Sequence, residues 1–318
     1  MCAKAAVCGA DLVFLDLEDA CAPVAKESAR RTAVEALTQL DWGHTLRAVR
    51  INGIDTPWCH GDIIEIVTGA REHVDILIVP KVRAPRDVWW VAVLLDQLEA
   101  KLSLTKRIGL EVLIEEAEGL ANAAAIASAS DRLEAVIFGA GDLSASLHAR
   151  VDGNFDPLGE YPGDFWHFAR MQVLVAARRA GIDAIDAPYP AYLDLVGYRR
   201  AASHAAVLGF DGKWAIHPDQ VPVANEVFAP TAEEVAEAQE AMARYRAAEA
   251  QGVGAIGRDG RLVDAAHMRL AANTLAKAAR AAALRPGNPE RRDTALLPPA
   301  TASSTDPAPD AGTVPPAP

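Results

Sequence analysis

What this chain lacks narrows its function before any motif is read. Basic residues are in deficit, with 31 Lys and Arg against 43 Asp and Glu and a net charge of -12. That balance argues against general nucleic-acid binding, whose footprint is a basic surface; a local basic patch would still serve a polyanionic cofactor. Cysteine is scarce: Cys2, Cys8, Cys21 and Cys59 all fall in the first fifth. None is spaced as CxxC, and no histidine pair accompanies them at zinc-finger spacing, so they read as reduced thiols of a cytosolic protein. No run approaches membrane-spanning length, and the opening MCAKAAVCGAD has no apolar core of a secretion signal. A Gly-rich dinucleotide loop after the first strand is also missing. The expectation is a cytoplasmic α/β protein with neither a membrane nor a nucleic-acid partner.

What is present is a sizeable core and a regular alternation. Of 318 residues, 51% are hydrophobic, enough for one large domain or two ordinary ones. Short apolar runs that read as buried parallel strands cover 11–19, 45–53, 75–82, 107–115, 133–142, 181–188 and 211–218, with helix-like segments between them. Seven strands with intervening helices suggest a TIM (β/α)8 barrel whose first strand is absent from this chain. A doubly wound sheet is the competing architecture. The expected division is a barrel over 1–228, a lid or oligomerisation segment over 229–283, and a disordered Pro/Ala-rich tail over 284–318. Within the second unit, Thr231 and Glu234 form a capping box, and Asp259-Gly260 reads as a hairpin turn.

The stretch from Gly109 to Asp142 carries the clearest chemistry. Val112-Leu113-Ile114 stops at Glu115, and Ala135-Val136-Ile137-Phe138 stops, after a Gly-Ala-Gly turn, at Asp142. Parallel strands of a βαβ unit bring both acids to the C-terminal edge, where such folds place their chemistry. Two carboxylates on one rim repel unless a proton or a cation sits between them, which points to a hard divalent metal. The alternative is that acids here cap helices.

Taken in order, DLVFLDLEDA, RAVRINGIDTPW, ILIVPKV, EVLIEEAEG, FGAGDLSAS and GKWAIHPDQVPVANEVFAP resemble the HpcH/HpaI aldolase and citrate lyase β-subunit superfamily. YPGDFWHFAR and the late GRLVD resemble its malyl-CoA lyase branch. The resemblance covers residues 5 to about 280. It implies a TIM barrel with a C-terminal lid, and an Mg²⁺-dependent (alternatively Mn²⁺-dependent) lyase. Such an enzyme makes or breaks malyl-CoA or β-methylmalyl-CoA, giving acetyl-CoA or propionyl-CoA and glyoxylate. It also implies a homotrimer or homohexamer whose lid acts in a neighbouring subunit. A (3S)-malyl-CoA thioesterase, a citramalyl- or citryl-CoA-type lyase and a non-catalytic paralogue are the alternatives.

Carried over residue by residue, the resemblance makes Glu115 and Asp142 the metal ligands. Arg50 becomes the clamp on a carboxylate or developing oxyanion, and Glu18 and Asp19 support the metal or its waters. Asp264 of the GRLVD segment becomes the acid/base. Trp214, Ile216, His217 and Pro218 line the path of the CoA arm, and Lys81, Arg83 and Lys26 are candidates for its phosphates. Bland readings stand beside these. Arg50 can simply pair with Glu18 or Asp19, Asp264 can be a helix N-cap, and His217 can be a packing histidine. Arg47 is expected to be solvated, and Trp89 and Trp90 to lie in the core or an interface. Cys59 has no base partner.

Overall fold

The structure is a computed structural model that describes residues 1–258 and 261–283. Seven strands form one sheet: β1 Leu12–Asp16, β2 Leu46–Arg50, β3 Ile76–Val79, β4 Gly109–Ile114, β5 Leu133–Phe138, β6 Asp183–Asp186 and β7 Gly212–Lys213. All neighbours pair in parallel, in chain order from β1 to β7. Each expected strand is found, trimmed at its ends. No described strand bonds β1 to β7, so the ladder is open between them.

The period-2 alternation of the strands builds two apolar layers. One side chain set points into the sheet's concave side: Phe14, Ala48, Ile78, Leu113, Ile137 and Ile185 pack in one cluster with Trp214. The other set, including Val49, Leu77, Val112, Val136 and Ala184, lies beneath the surrounding helices. Burying a side chain such as Leu77 completely is worth about 1.5–3 kcal/mol, and such residues recur along β2 to β5. Phe14 of β1 meets Trp214, just after β7, at a ring-centroid distance of 4.5 Å. The two edges therefore face each other across a seam bridged by these rings, and the sheet curls into a TIM-like barrel.

Helices follow the strands on the outside. The segment Lys26–Gln39 follows β1, Cys59–Ala70 follows β2, Pro85–Leu102 follows β3, and His167–Ala180 lies between β5 and β6. Leu195–Leu208 then starts at Asp194, whose carboxylate accepts the Gly197 N–H at 2.9 Å. Trp89 and Trp90 sit on the solvent side of their helix, 60% and 38% exposed, so they are not core. Arg47 also departs from expectation. It is buried and bound to Asp75, which accepts from its backbone N–H at 2.7 Å and its Nε at 3.0 Å. Arg47 shares the helix-facing side of β2 with Val49, where a charge survives only with a partner.

After the helix Gln220–Phe228, the chain forms Ala232–Glu249, a hairpin of β8 Ile256–Arg258 with β9 Arg261–Val263, and Ala265–Ala283. The Thr231 capping box is present, with bonds of 3.1 and 2.7 Å to Glu234. The Asp259-Gly260 turn and the 284–318 tail lie outside the described residues. The last helix returns to the N-terminal ends of β6 and β7. Arg280 binds Asp183 at 2.5 and 3.0 Å, and Lys277 donates to the Phe210 carbonyl at 3.4 Å. Among the described residues no helix is long and apolar enough to cross a membrane.

Candidate active site at the C-terminal rim

Strand ends gather the charged side chains. β1 ends at Asp16 and β2 at Arg50, and the two are paired in register. Arg50 clamps Asp16 with two bonds, Nε to Oδ1 at 2.8 Å and Nη2 to Oδ2 at 2.6 Å. Its Nη1 lies 3.3 Å from Glu18. Beneath it lie the rings of Trp214 and Phe14, 5.6 and 6.0 Å from the guanidinium carbon. Burial opposes the charge on Arg50, but the bonds and charges of Asp16, with Glu18 and Glu115, more than offset it. Arg50 therefore stays protonated at any working pH. Burial also opposes ionisation of Asp16, yet Arg50 and the N–H groups of Glu18 and Ala20 hold its carboxyl below the usual range.

Asp16 is the residue that reading the motif missed. It sits inside the strand-like DLVFLDLED, where attention fell on Glu18 and Asp19. The signal was available: Leu12, Phe14 and Asp16 alternate on one face, so Asp16 shares the interior with Arg50.

Glu115 and Asp142 do come together. Glu115 follows β4 and is 3% exposed. Asp142 lies in the first turn of the short helix Ala140–Ser146 after β5, its side chain 35% exposed. The Lys81 N–H donates to Glu115 Oε1 at 2.9 Å. The Lys81 ammonium binds Glu18 and lies 3.4 Å from Asp142 and 3.5 Å from Asp19. Burial, and then the charge of Asp142, push the Glu115 carboxyl up to about 8. Glu18 is likewise raised by burial, against the pull of Lys81 and Arg50. Gly139 leaves room for Glu115: a Cβ there would meet the Glu115 Cβ at 2.5 Å and Oε2 at 2.7 Å.

The donor set fits a hard divalent cation. Mg²⁺ takes carboxylate oxygens, is commonly held by one or two carboxylates, and keeps other positions for water and substrate. A cation here would also offset the burial and the Asp142 charge that together raise the Glu115 carboxyl. Among the described residues no group of three or more His, Cys, Asp or Glu could hold a metal alone, so substrate oxygens and water would complete the shell.

The other expected residues fall in three places. Trp214 floors the site beneath Arg50, while Ile216, His217 and Pro218 form the turn that follows it. Ile216 donates to Gln220 Oε1 at 2.8 Å, and His217 stacks on Tyr192 with centroids 5.3 Å apart. Lys26 is no phosphate ligand: it is buried, and its ammonium donates to the Leu17 and Glu18 carbonyls and Asn52 Oδ1. Arg83 is on the rim, 3.3 Å from Asp55. Asp264, expected to act in a neighbouring subunit, bonds to none of the rim residues of its own chain. Its exposed carboxylate accepts from the Ala266 N–H and meets His267 Nδ1 at 2.8 Å, which holds it below its usual range. Cys59 is buried beside Asp62 and Asp55, and its thiol is pushed up to about 12, so it is no nucleophile.

A parallel barrel-like sheet whose strand ends hold two carboxylates opposite a clamped arginine can place a divalent cation beside an anionic substrate. The chain belongs to the HpcH/HpaI aldolase/citrate lyase family, whose model matches residues 1–218. It is 43% identical over 277 residues to an L-malyl-CoA/β-methylmalyl-CoA lyase of Rhodobacter capsulatus, covering 84% of this chain and 87% of that one. It is 36% identical over 282 residues to a (3S)-malyl-CoA thioesterase of Cereibacter sphaeroides, covering 89% and 91%. Among solved structures it is similar to CitE of Mycobacterium tuberculosis in complex with magnesium, acetoacetate and coenzyme A. That match has a TM-score of 0.70 and 29% identity, covering 87% of this chain and 95% of the other.

Proposed function

We propose that this protein is an Mg²⁺-dependent lyase that cleaves or forms malyl-CoA or β-methylmalyl-CoA, with glyoxylate as the oxo acid and acetyl-CoA or propionyl-CoA as the thioester. The observation that carries the reading is the convergence of Glu115, Asp142 and Arg50 on one strand-end rim. The similarity to lyases of those substrates supports it. Glu115 and Asp142 would hold the metal, which supplies Lewis-acid polarisation of an oxo-acid oxygen when bound.

The chain's own groups divide the remaining work. Arg50 is pre-aimed by its two bonds to Asp16 and carries a permanent charge for a substrate carboxylate or a developing oxyanion. Glu18 and Asp19 accept hydrogen bonds from water or substrate hydroxyls at the same rim. In cleavage, a base takes the proton of the malyl hydroxyl and the adjacent C–C bond breaks. Its electron pair passes to the thioester as an enolate, which is protonated at carbon. We assign that proton traffic to Asp264 of a neighbouring subunit in a homotrimer or homohexamer, with residues 229–283 as the lid. The turn of Trp214, Ile216, His217 and Pro218 guides the CoA arm.

Thioester hydrolysis is the second reading, favoured by the likeness to the thioesterase. One assay separates the two: purified protein with malyl-CoA and Mg²⁺, following glyoxylate and free CoA independently. Glyoxylate without free CoA is the expected result. Free CoA with malate and no glyoxylate would establish hydrolysis, and a rate unchanged by EDTA would sink the metal.

A further inference from the structure

Among the described non-glycine residues, positive φ occurs at Arg71, Lys81, Ser103, His148 and Phe155. Arg71 and Ser103 close helices, and Ser103 takes the αL conformation common at such ends. Lys81 closes no helix. It follows β3 with φ of 53°, a region that disfavours any side chain with a Cβ. Backbone outliers of this kind cluster where a site needs them. Here the outlier has two visible products. The N–H of Lys81 reaches Glu115 Oε1 at 2.9 Å, and its ammonium stands among Glu18, Asp19 and Asp142. On the other side of Glu115, Oε2 rests where only the bare Gly139 backbone leaves space. The carboxylate is thus held between a donor from β3 and a glycine from β5.

We propose that Lys81 is a positioning residue for the acid pair, acting through its left-handed backbone on Glu115 and through its ammonium on Glu18 and Asp142. The proposal rests on the reading of Glu115 and Asp142 as the magnesium ligands. Turning the backbone at this one residue sets the Glu115 carboxylate, while the side chain ties the end of β1 to the helix after β5. Neither role needs Lys81 to touch the substrate.

Substitutions that differ only in tolerance of positive φ test the backbone role. Lys81→Gly keeps the turn and loses the ammonium, Lys81→Ala strains it, and Lys81→Val opposes it most. Titration of the full chain with Mg²⁺ by calorimetry should rank affinity Gly above Ala above Val. Glycine and valine should differ by about tenfold or more, as expected when a ligand is misplaced. Equal affinities, or the reverse order, would overturn the proposal; if the valine variant does not fold, the Gly–Ala pair decides. The ammonium role is read from kcat in Lys81→Gly, which should fall about tenfold with KM for the thioester little changed. A rise in KM alone would instead make Lys81 a CoA contact. A measurement without metal keeps the two readings separate. Exchange of the Lys81 amide hydrogen should be slow in the wild type and faster in Glu115→Ala. Equal rates would overturn the assignment whether or not Mg²⁺ binds. If wild type shows no Mg²⁺ binding that Glu115→Ala and Asp142→Ala remove, the metal reading fails and amide exchange still decides on Lys81.

Discussion

β4 has one buried glutamate near its start and another just past its end, and the two have opposite surroundings. Glu111 and Glu115 are four residues apart, so both face the interior. Burial raises both carboxyls to about 8. At the C-terminal end, Glu115 accepts the Lys81 N–H and lies within the field of Arg50 and Asp142. At the N-terminal end, the Glu111 side chain is buried and feels only burial and the charges of neighbouring acids. Its neighbours are acids: Glu134, raised to about 7 by burial and Asp183, and Asp183 itself, which is engaged by Arg280. A raised pKa therefore does not by itself mark the chemistry. What separates the ends is the set of donors and cations aimed at the rim.

The comparison breaks most decisively if the rim acids prove dispensable. Glu115→Ala and Asp142→Ala should each lower turnover by about a thousandfold, the scale of losing several kcal/mol of charge stabilisation. Circular dichroism and melting should show the fold intact. Near-normal rates in either variant would refute the site. Next in size is Gly139→Ala, which adds a methyl where Glu115 lies. Displacing that carboxylate by an ångström should cost about a hundredfold in kcat/KM, measured beside an unchanged melting curve at a pH near 6.

The opposite end should respond in stability, not activity. Glu111 has a folded pKa of about 8 against an ordinary 4.5, so the folded protein keeps a proton that the unfolded chain gives up first. Its contribution is intact below about 4.5 and is lost as pH rises through about 8. Glu111→Gln should therefore stabilise the protein at pH 8, on the order of 2 kcal/mol. The slope of stability against pH should flatten between those limits, with kcat unchanged. Denaturant melts at a series of pH values test this, and an unchanged slope would show that Glu111 does not hold its proton there. The smallest effect belongs to Arg280→Ala, about 1 kcal/mol or less for a partly exposed ion pair. It should steepen the same pH slope, because the charge of Arg280 favours ionised Glu134.

Much of this was legible in the chain. The seven apolar runs became seven strands because parallel strands buried on both faces read as continuous hydrophobic runs. Glu115, Asp142 and Arg50 lay at the ends of those runs, and strand ends are where parallel folds expose side chains to a common rim. What escaped was partnership across strands. Arg47 and Lys26 looked like surface cations, but Asp75 and the carbonyls of Leu17 and Glu18 draw them inside. Asp186 with Arg170 and Lys213 is a second buried network of this kind, with bonds of 2.9 and 2.6 Å. Its members lie in separate runs whose register no single motif reveals. The left-handed turn at Lys81 carried no glycine to announce it.

The contact between Phe14 and Trp214 has a consequence for signal. Arg50 stands over the same indole that bridges the two edge strands. A ligand that draws the guanidinium away from the ring, or a breath of the seam that parts the rings, alters the polarity around one tryptophan. With the other five tryptophans replaced, the emission of Trp214 should report, from one position, both the occupancy of the arginine and the width of the seam.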